Sequence, residues 1–312
     1  MRNKTTPHQS IVITGGNSGL GYKCAEAIAR SENWQIIVAS RNLSTVEYAV
    51  EQLIKNTAHP HIKGMVLDLA SLQSVRQFVG QIVQSDIAPL KGVICNAGVQ
   101  IISGTTYTED GFETTFGVNH LGHFLLANLL LPHMTKYSRI IFISSDAHDP
   151  MTKTGMPAPQ YRKPSQMAFP ELSDRTNNVA EIGRCRYTTS KLCNLFCTYE
   201  LARRLQSDRQ TISVNAFNPG LMLDTRLARD YDRKETLKFL IDSFPHILGH
   251  ICRFRNSKNM SKALASLILN PYLTGVSGKY FDGFKQIESS VESRDRDKAL
   301  ELWEASAMFV RL

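Results

Sequence analysis

Of the ten tyrosines in this 312-residue chain, only Tyr187 has a lysine four residues downstream, in Tyr187-Thr188-Thr189-Ser190-Lys191. On a helix that spacing puts both side chains on one face. An ammonium beside a phenol favours the phenolate and draws its pKa from about 10 toward neutrality, which makes the tyrosine usable as an acid and a base. Two further groups could work with such a pair. Ser144 and Ser145 end an apolar, β-rich run, where a hydroxyl would point off the carboxyl edge of a sheet. Asn119 lies in Gly117-Val118-Asn119-His120-Leu121-Gly122-His123-Phe124, an apolar helical context in which a buried amide must find partners, the backbone included. His120 and His123 stand three apart with no acidic third ligand, so they are read as packing or bonding locally, and no metal is assigned.

A second set of residues suits a polyphosphate. Thr14-Gly15-Gly16-Asn17-Ser18-Gly19-Leu20-Gly21 follows a strand-like run and opens a helix. Glycines at such a turn let backbone approach a pyrophosphate, and the free N–H groups at the helix start attract its charge. Ribose selectivity is set at the end of the next strand, about 20 residues on, where an acid binds the 2′-hydroxyl of NAD. That place holds Ser40-Arg41 and no acid, and an arginine with a hydroxyl favours the extra phosphate of NADP(H). Asp68-Leu69 after the third strand would hold the adenine edge, and Asn96-Ala97-Gly98 after the fourth would lie along the cofactor ribose.

Holding these groups together requires strands and helices in alternation. β-rich runs occur at Ser10–Thr14, Gln35–Ala39, Lys63–Leu67, Gly92–Cys95, Arg139–Ile143 and Thr211–Phe217, separated by segments of helical spacing such as Val75, Phe78, Val79 and Ile82. Runs without period-two alternation suit strands buried on both faces, and strands joined by helices pair in parallel with right-handed crossovers. The expectation is a single α/β domain over 10–285, a doubly wound (Rossmann-type) parallel sheet with helices on both faces, after a polar tail at 1–9. The stretch 146–186 reads as an insertion beside the site. Residues 221–259 contain amphipathic pieces that fit either a lid over an apolar substrate or an ordinary surface helix. A peripheral helix is expected over 286–312.

Bulk properties narrow the classes. The net charge of +8 is scattered along the chain and suits an anionic cofactor better than nucleic acid. Six cysteines form no Cys-x-x-Cys pair and read as reduced thiols of a cytoplasmic protein. The most apolar run, Phe124 to Leu131, is far short of the roughly 20 residues that cross a bilayer, which leaves at most a peripheral membrane contact.

Thr14 to Gly21, Asn96-Ala97-Gly98, Asn119, Ser145, Tyr187-x-x-x-Lys191 and Pro219-Gly220 occur in the order and rough spacing of the short-chain dehydrogenase/reductase family, which the chain resembles over about residues 10 to 285. Gly111-Phe112-Glu113, the Asn119 to Phe124 run and Ser190-Lys191-Leu192-Cys193-Asn194 are similar to the branch of retinol dehydrogenases, their WW-domain relatives and light-dependent protochlorophyllide oxidoreductases. The resemblance implies that Tyr187 exchanges a proton with the substrate oxygen. Lys191 would hold the nicotinamide ribose and tune Tyr187, Ser145 would bond the carbonyl, Asn119 would hold a water and Pro219-Gly220 would line the nicotinamide. Ser145 is preferred to Ser144 because the family's serine takes the second position. A departure is Asp224, with Thr225 after it, where members often carry threonine in P-G-x-x-x-T; Leu221 stands where the light-dependent branch tends to carry cysteine.

The leading expectation is NADPH-dependent hydride transfer to or from a carbonyl or alcohol on an apolar substrate, such as a retinoid, aldehyde or ketone. Light-dependent C=C reduction of a tetrapyrrole-like pigment and a non-catalytic NADP(H)-binding regulatory role are the competing readings. Homodimer formation is left open.

Overall fold

Strands whose residues are apolar on both sides must be covered on both sides, and here they are. The computed structural model describes residues 7–31, 33–171, 178–208, 211–220 and 255–312. One eight-stranded sheet contains β1 (Gln9–Thr14), β2 (Trp34–Ser40), β3 (Ile62–Val66), β4 (Leu90–Cys95), β5 (Met134–Ile143), β6 (Ser213–Asn218), β7 (Lys279–Asp282) and β8 (Lys285–Ile287), in the order β3-β2-β1-β4-β5-β6-β7-β8. The first seven pair in parallel and β8 runs antiparallel to β7. The doubly wound sheet is as expected, with β7 and β8 added to the six strands read from sequence and β8 departing from the all-parallel pattern.

Alternate residues of one strand enter different cores. Val12 and Ile37 pack with α3 (Leu72–Gln84), α5 (Gly122–Leu130), α7 (Val179–Ser207) and α9 (Arg296–Phe309), whereas Ile11, Ile13, Ile36 and Val38 pack with α1 (Gly19–Ala29), α2 (Leu43–Thr57) and α8 (Ser257–Leu269). The two remaining helices, α4 (Thr114–Phe116) and α6 (Pro164–Ala168), are single turns. Polar side chains cap the helix starts: Asn42 accepts from Thr45 N–H, Ser71 from Ser74 N–H and Asp295 from Asp297 N–H. Buried Arg139 of β5 ends α8 by donating to the carbonyls of Leu267 and Ile268, each at 3.0 Å.

Two expectations about the chain's outer parts change. The last eight residues of the stretch 146–186 are the first turns of α7, which starts at Val179. The C-terminal helix α9 is not peripheral, because it buries Ala299, Leu302, Trp303 and Ser306 against α7 and α5. The amphipathic pieces of 221–254 lie outside the described residues. No helix among the described residues is long and apolar enough to cross a membrane.

Candidate active site

The helix α7 is unusual in burying a polar stretch. Thr188, Thr189 and Ser190 are all buried, and each hydroxyl donates to a main-chain carbonyl one turn back: Thr188 and Thr189 to Cys185 at 2.9 and 2.7 Å, and Ser190 to Tyr187 at 2.7 Å. Self-satisfied hydroxyls let the helix enter the core without stranded donors. Gly183 permits the approach, since a Cβ there would lie 2.0 Å from the Ile101 carbonyl oxygen and 2.8 Å from Ile102 Cα.

Tyr187 and Lys191 share the inner face of α7, with Lys191 Nζ 5.4 Å from the tyrosine ring centroid. Burial pushes the Lys191 ammonium down to about 8. Its Nζ donates to the Ile143 carbonyl at 3.2 Å, and Asn194 Nδ2 donates to the same oxygen at 3.1 Å. Asn194 Oδ1 is buried with no protein partner. Tyr187, Ser190, Lys191 and Asn194 thus line one stripe at helical spacing. Asn194 entered the sequence reading only as part of a motif, although its i+7 relation to Tyr187 was visible.

The two serines at the end of β5 separate by their bonds. Ser144 is buried and its hydroxyl donates to the Lys191 carbonyl at 2.9 Å, tying β5 to α7. Ser145 is half-buried; its Oγ accepts from Ala147 N–H at 3.1 Å and lies 3.2 Å from Asp146 Oδ1. His148, just past β5, holds the Ser145 backbone. Its Nδ1 donates to the Ser145 carbonyl at 2.5 Å and its Nε2 accepts from Ser290 N–H at 3.1 Å, while burial lowers its pKa.

Asn119 sits in a π-helical turn, Gly117–Leu121, of the kind often found at functional sites. Its Oδ1 accepts from Val99 N–H at 2.8 Å, and Nδ2 donates to the Val99 carbonyl and to Ser190 Oγ, both at 2.9 Å. Both amide hydrogens are therefore engaged. A Cβ on Gly98 would lie 3.3 Å from Asn119 Oδ1 and 3.8 Å from Lys191 Nζ, so Gly98 borders the space between them.

Beside this stripe lies the glycine turn. Gly15 and Gly19 adopt φ of +63° and +55°, and a Cβ on Gly21 would lie 2.6 Å from Asn96 Nδ2 and 2.7 Å from the Gly15 carbonyl oxygen. Ser18 is the N-cap of α1 and its side chain makes no capping bond, so the first N–H groups of the helix are not satisfied by the cap. Leu20 is buried under the turn, and Asn17 Nδ2 donates to Thr45 Oγ1 at 3.1 Å. Thr14 Oγ1 accepts from Asn96 N–H and Ala97 N–H at 2.9 and 3.0 Å, locking β1 to β4. The turn thus brings backbone close to the uncapped start of α1, an arrangement that could hold an anion.

The remaining predicted residues lie along the same edge. Ser40 is half-buried and Arg41 exposed at the end of β2. Asp68 follows β3, its Oδ1 accepting from Ala70 N–H at 2.9 Å, and Leu69 is buried in the core. Pro219 and Gly220 follow β6; Gly220 has φ +70° and its N–H bonds Asn218 Oδ1 at 2.9 Å. Asn218 also bonds Asp282 at 2.8 Å, and Asp282 pairs with Arg255 at 2.5 Å. Every predicted site residue except Asn119, Tyr187 and Lys191 therefore stands at or just after the carboxyl end of one of the parallel strands β1 to β6, the edge where open α/β sheets bind ligands. Among the described residues no cluster of three or more His, Cys, Asp or Glu could hold a metal ion.

A strand order that reverses beside a glycine turn, with a Tyr-x-x-x-Lys helix packed across that edge, defines a dinucleotide-binding oxidoreductase of the short-chain type. Residues 9–157 match the family model for short chain dehydrogenase. Retinol dehydrogenase 13 of Homo sapiens is 35% identical over 310 residues, 99% of this chain and 86% of that protein. The chloroplastic protochlorophyllide reductase of Daucus carota is 33% identical over 327 residues, covering 99% and 80%. The solved structure of an uncharacterized protein from Mycobacterium Paratuberculosis gives a TM-score of 0.67 at 27% identity, covering 98% of this chain and 94% of that one. A short chain dehydrogenase from Shigella flexneri 2a complexed with NADP shares the fold, with a TM-score of 0.61 at 18% identity and coverage of 90% and 98%. The chain belongs to the short-chain dehydrogenase/reductase family, in the branch of the retinol dehydrogenases and protochlorophyllide reductases.

Proposed function

We propose that this protein is an NADPH-dependent oxidoreductase that interconverts a carbonyl and an alcohol on an apolar substrate, a retinoid, aldehyde or ketone. The observation that carries the reading is the single stripe of Tyr187, Ser190, Lys191 and Asn194 facing Asn119 and the end of β5 beside the glycine cradle. A protein that only bound the nucleotide would have no need of that phenol and ammonium. When bound, the nicotinamide supplies or takes the hydride. Residues Thr14 to Gly21 would hold its diphosphate, Asn96 to Gly98 its ribose, and Pro219-Gly220 its nicotinamide side. The phosphorylated form is supported by exposed Arg41 beside Ser40, with no acid at that place, and by the NADP carried by the Shigella flexneri structure.

In the reductive direction the Tyr187 hydroxyl gives its proton to the substrate oxygen, while the Ser145 hydroxyl bonds that oxygen as negative charge develops. Most of the Lys191 population carries a proton at pH 7, since its pKa is about 8, and that charge favours the phenolate left on Tyr187. Ser144 and Asn194 keep the lysine's backbone and head group in place through the Lys191 and Ile143 carbonyls.

The test is NADPH oxidation, followed at the cofactor's absorbance, against apolar aldehydes, ketones and retinal, with NADH and Tyr187→Phe in parallel. Turnover that prefers NADPH and collapses in the variant supports the reading; tight NADPH binding without turnover on any carbonyl overturns it. A second reading, light-dependent reduction of a tetrapyrrole C=C bond, rests on the 33% identity with the Daucus carota reductase. It requires turnover of protochlorophyllide under illumination only.

A further inference from the structure

His123 is fully buried in α5, one turn beyond Asn119, and makes two bonds that fix its tautomer. Nδ1 lies 3.2 Å from the Asn119 carbonyl oxygen, which can only accept, so Nδ1 carries the proton. Nε2 lies 2.9 Å from Thr14 Oγ1. The Thr14 hydroxyl accepts from Asn96 N–H and Ala97 N–H, and its own hydrogen is left to donate to Nε2, with the Ile94 carbonyl at 3.3 Å as the longer alternative. Every donor in this junction meets an acceptor only while the ring is neutral. Burial, with the Lys191 charge as a smaller contribution against the bond to Asn119, holds the His123 pKa down to about 4.

The imidazole thus spans two parts of the site that no other side-chain bond among the described residues joins directly: the last residue of β1, from which the glycine turn springs, and the π turn carrying Asn119. Thr14 in turn holds the backbone that leads to Gly98, and Gly98 borders the space between Asn119 and Lys191. We propose that His123 is a positioning residue that sets the distance between the nucleotide cradle and the Asn119–Lys191 end of the site, through Nδ1–H to the Asn119 carbonyl and Nε2 to the Thr14 hydroxyl. The assignment of those two ends to cofactor and proton transfer rests on the function proposed above, whereas the junction itself does not.

Two variants divide the ring's work. The amide nitrogen of His123→Asn stands where Nδ1 does and keeps the Asn119 bond, but loses Thr14. The amide oxygen of His123→Gln stands where Nε2 does and keeps Thr14, but loses Asn119. The expected result is a split: NADPH Kd, from titration of cofactor fluorescence, rises roughly tenfold in His123→Asn and stays within about twofold of wild type in His123→Gln. Conversely, kcat on a carbonyl that the wild type turns over falls roughly tenfold or more in His123→Gln and less in His123→Asn. In both proteins Tm is measured alongside. Loss of both parameters in both variants, in step with falling Tm, would make His123 a packing residue and overturn the proposal, as would an Nε2-protonated ring in the imidazole 15N spectrum of the wild type. If the wild type neither binds NADPH nor turns over a carbonyl, the proposed function fails on its own. The junction is then judged by the 15N spectrum and by hydrogen exchange at the Asn96 and Ala97 amides, which speeds up in His123→Asn and not in His123→Gln.

Discussion

Tyr187 and Lys191 were legible because helical spacing is a property of the chain alone, and the same holds for the glycines of the turn. The bonds that hold Lys191 were not, because Ile143 and Asn194 meet it only after β5 and α7 pack. Burial gives a consequence that spacing could not show. The Lys191 pKa of about 8 in the fold lies below its ordinary value of 10.5, so below pH 8 the folded chain holds a buried charge that the unfolded chain holds in water. That cost is fully present below pH 8 and disappears as pH rises from about 8 past 10.5. Lys191→Met is therefore expected to be more stable than wild type at pH 7 by up to about 3 kcal/mol in urea unfolding, the gap closing toward pH 10.5, although turnover is lost. A variant less stable at pH 7 would mean that the bond to Ile143 outweighs desolvation. Tyr187→Phe separates chemistry from binding: kcat is expected to fall by roughly 10²- to 10⁴-fold with NADPH affinity retained. Arg41→Asp is expected to raise the KM for NADPH by roughly 10- to 100-fold and leave that for NADH unchanged or lower, since one charge-assisted bond to a phosphate is lost. Equal effects on both cofactors would remove the ribose-phosphate role of Arg41.

Elements were read correctly where the pattern was long. β7 and β8 escaped because they are four and three residues long and β8 is exposed throughout, so neither offers a run of buried residues. The local signal was present in Asp282-Gly283-Phe284-Lys285, where Gly283 takes φ +62° in a two-residue hairpin loop. The start of α7 was missed for the opposite reason: apart from Gly183, residues 179–186 are exposed or half-buried, and the apolar core positions Leu192, Phe196, Leu201 and Leu205 begin only beyond Tyr187. What places the start of α7 is a close approach. A methyl at Gly183 would overlap the Ile101 carbonyl oxygen at 2.0 Å, and backbone cannot yield as a side-chain tip does. Gly183→Ala is expected to destabilise the protein by about 1–3 kcal/mol, even though alanine favours helix more than glycine does. It should lower kcat as well, by moving the Tyr187 face away from Asn119. If Tm rises instead, the Ile101 segment gives way freely and does not position the helix.

At the scale of the whole molecule the site is braced from behind by the chain's last helix. Trp303 of α9 meets Phe124 of α5 edge-on, with ring centroids 4.7 Å apart, and the Arg204 guanidinium of α7 lies 4.7 Å over the same indole. Arg204 is held in turn by Glu200 at 2.6 Å, and Ser306 of α9 bonds the Nε2 of His120, the neighbour of Asn119, at 2.8 Å. One indole thus touches both the helix that carries Tyr187 and the helix that continues the Asn119 turn. The C-terminal segment reads as peripheral in sequence because its apolar residues are few among charges, but Trp303 is only 9% exposed. Replacing a side chain of this size with alanine removes its transfer free energy and leaves a cavity between three helices, so Trp303→Ala is expected to cost about 3–5 kcal/mol in urea unfolding. The glycine cradle lies at the end of β1, away from this contact, so NADPH affinity should change little at temperatures where the variant is folded. Turnover should fall more than binding, because the freedom gained is at α5 and α7. Should Trp303→Ala weaken NADPH binding and leave kcat intact, the brace would belong to the cradle, and the coupling from α9 to the catalytic stripe would be wrong.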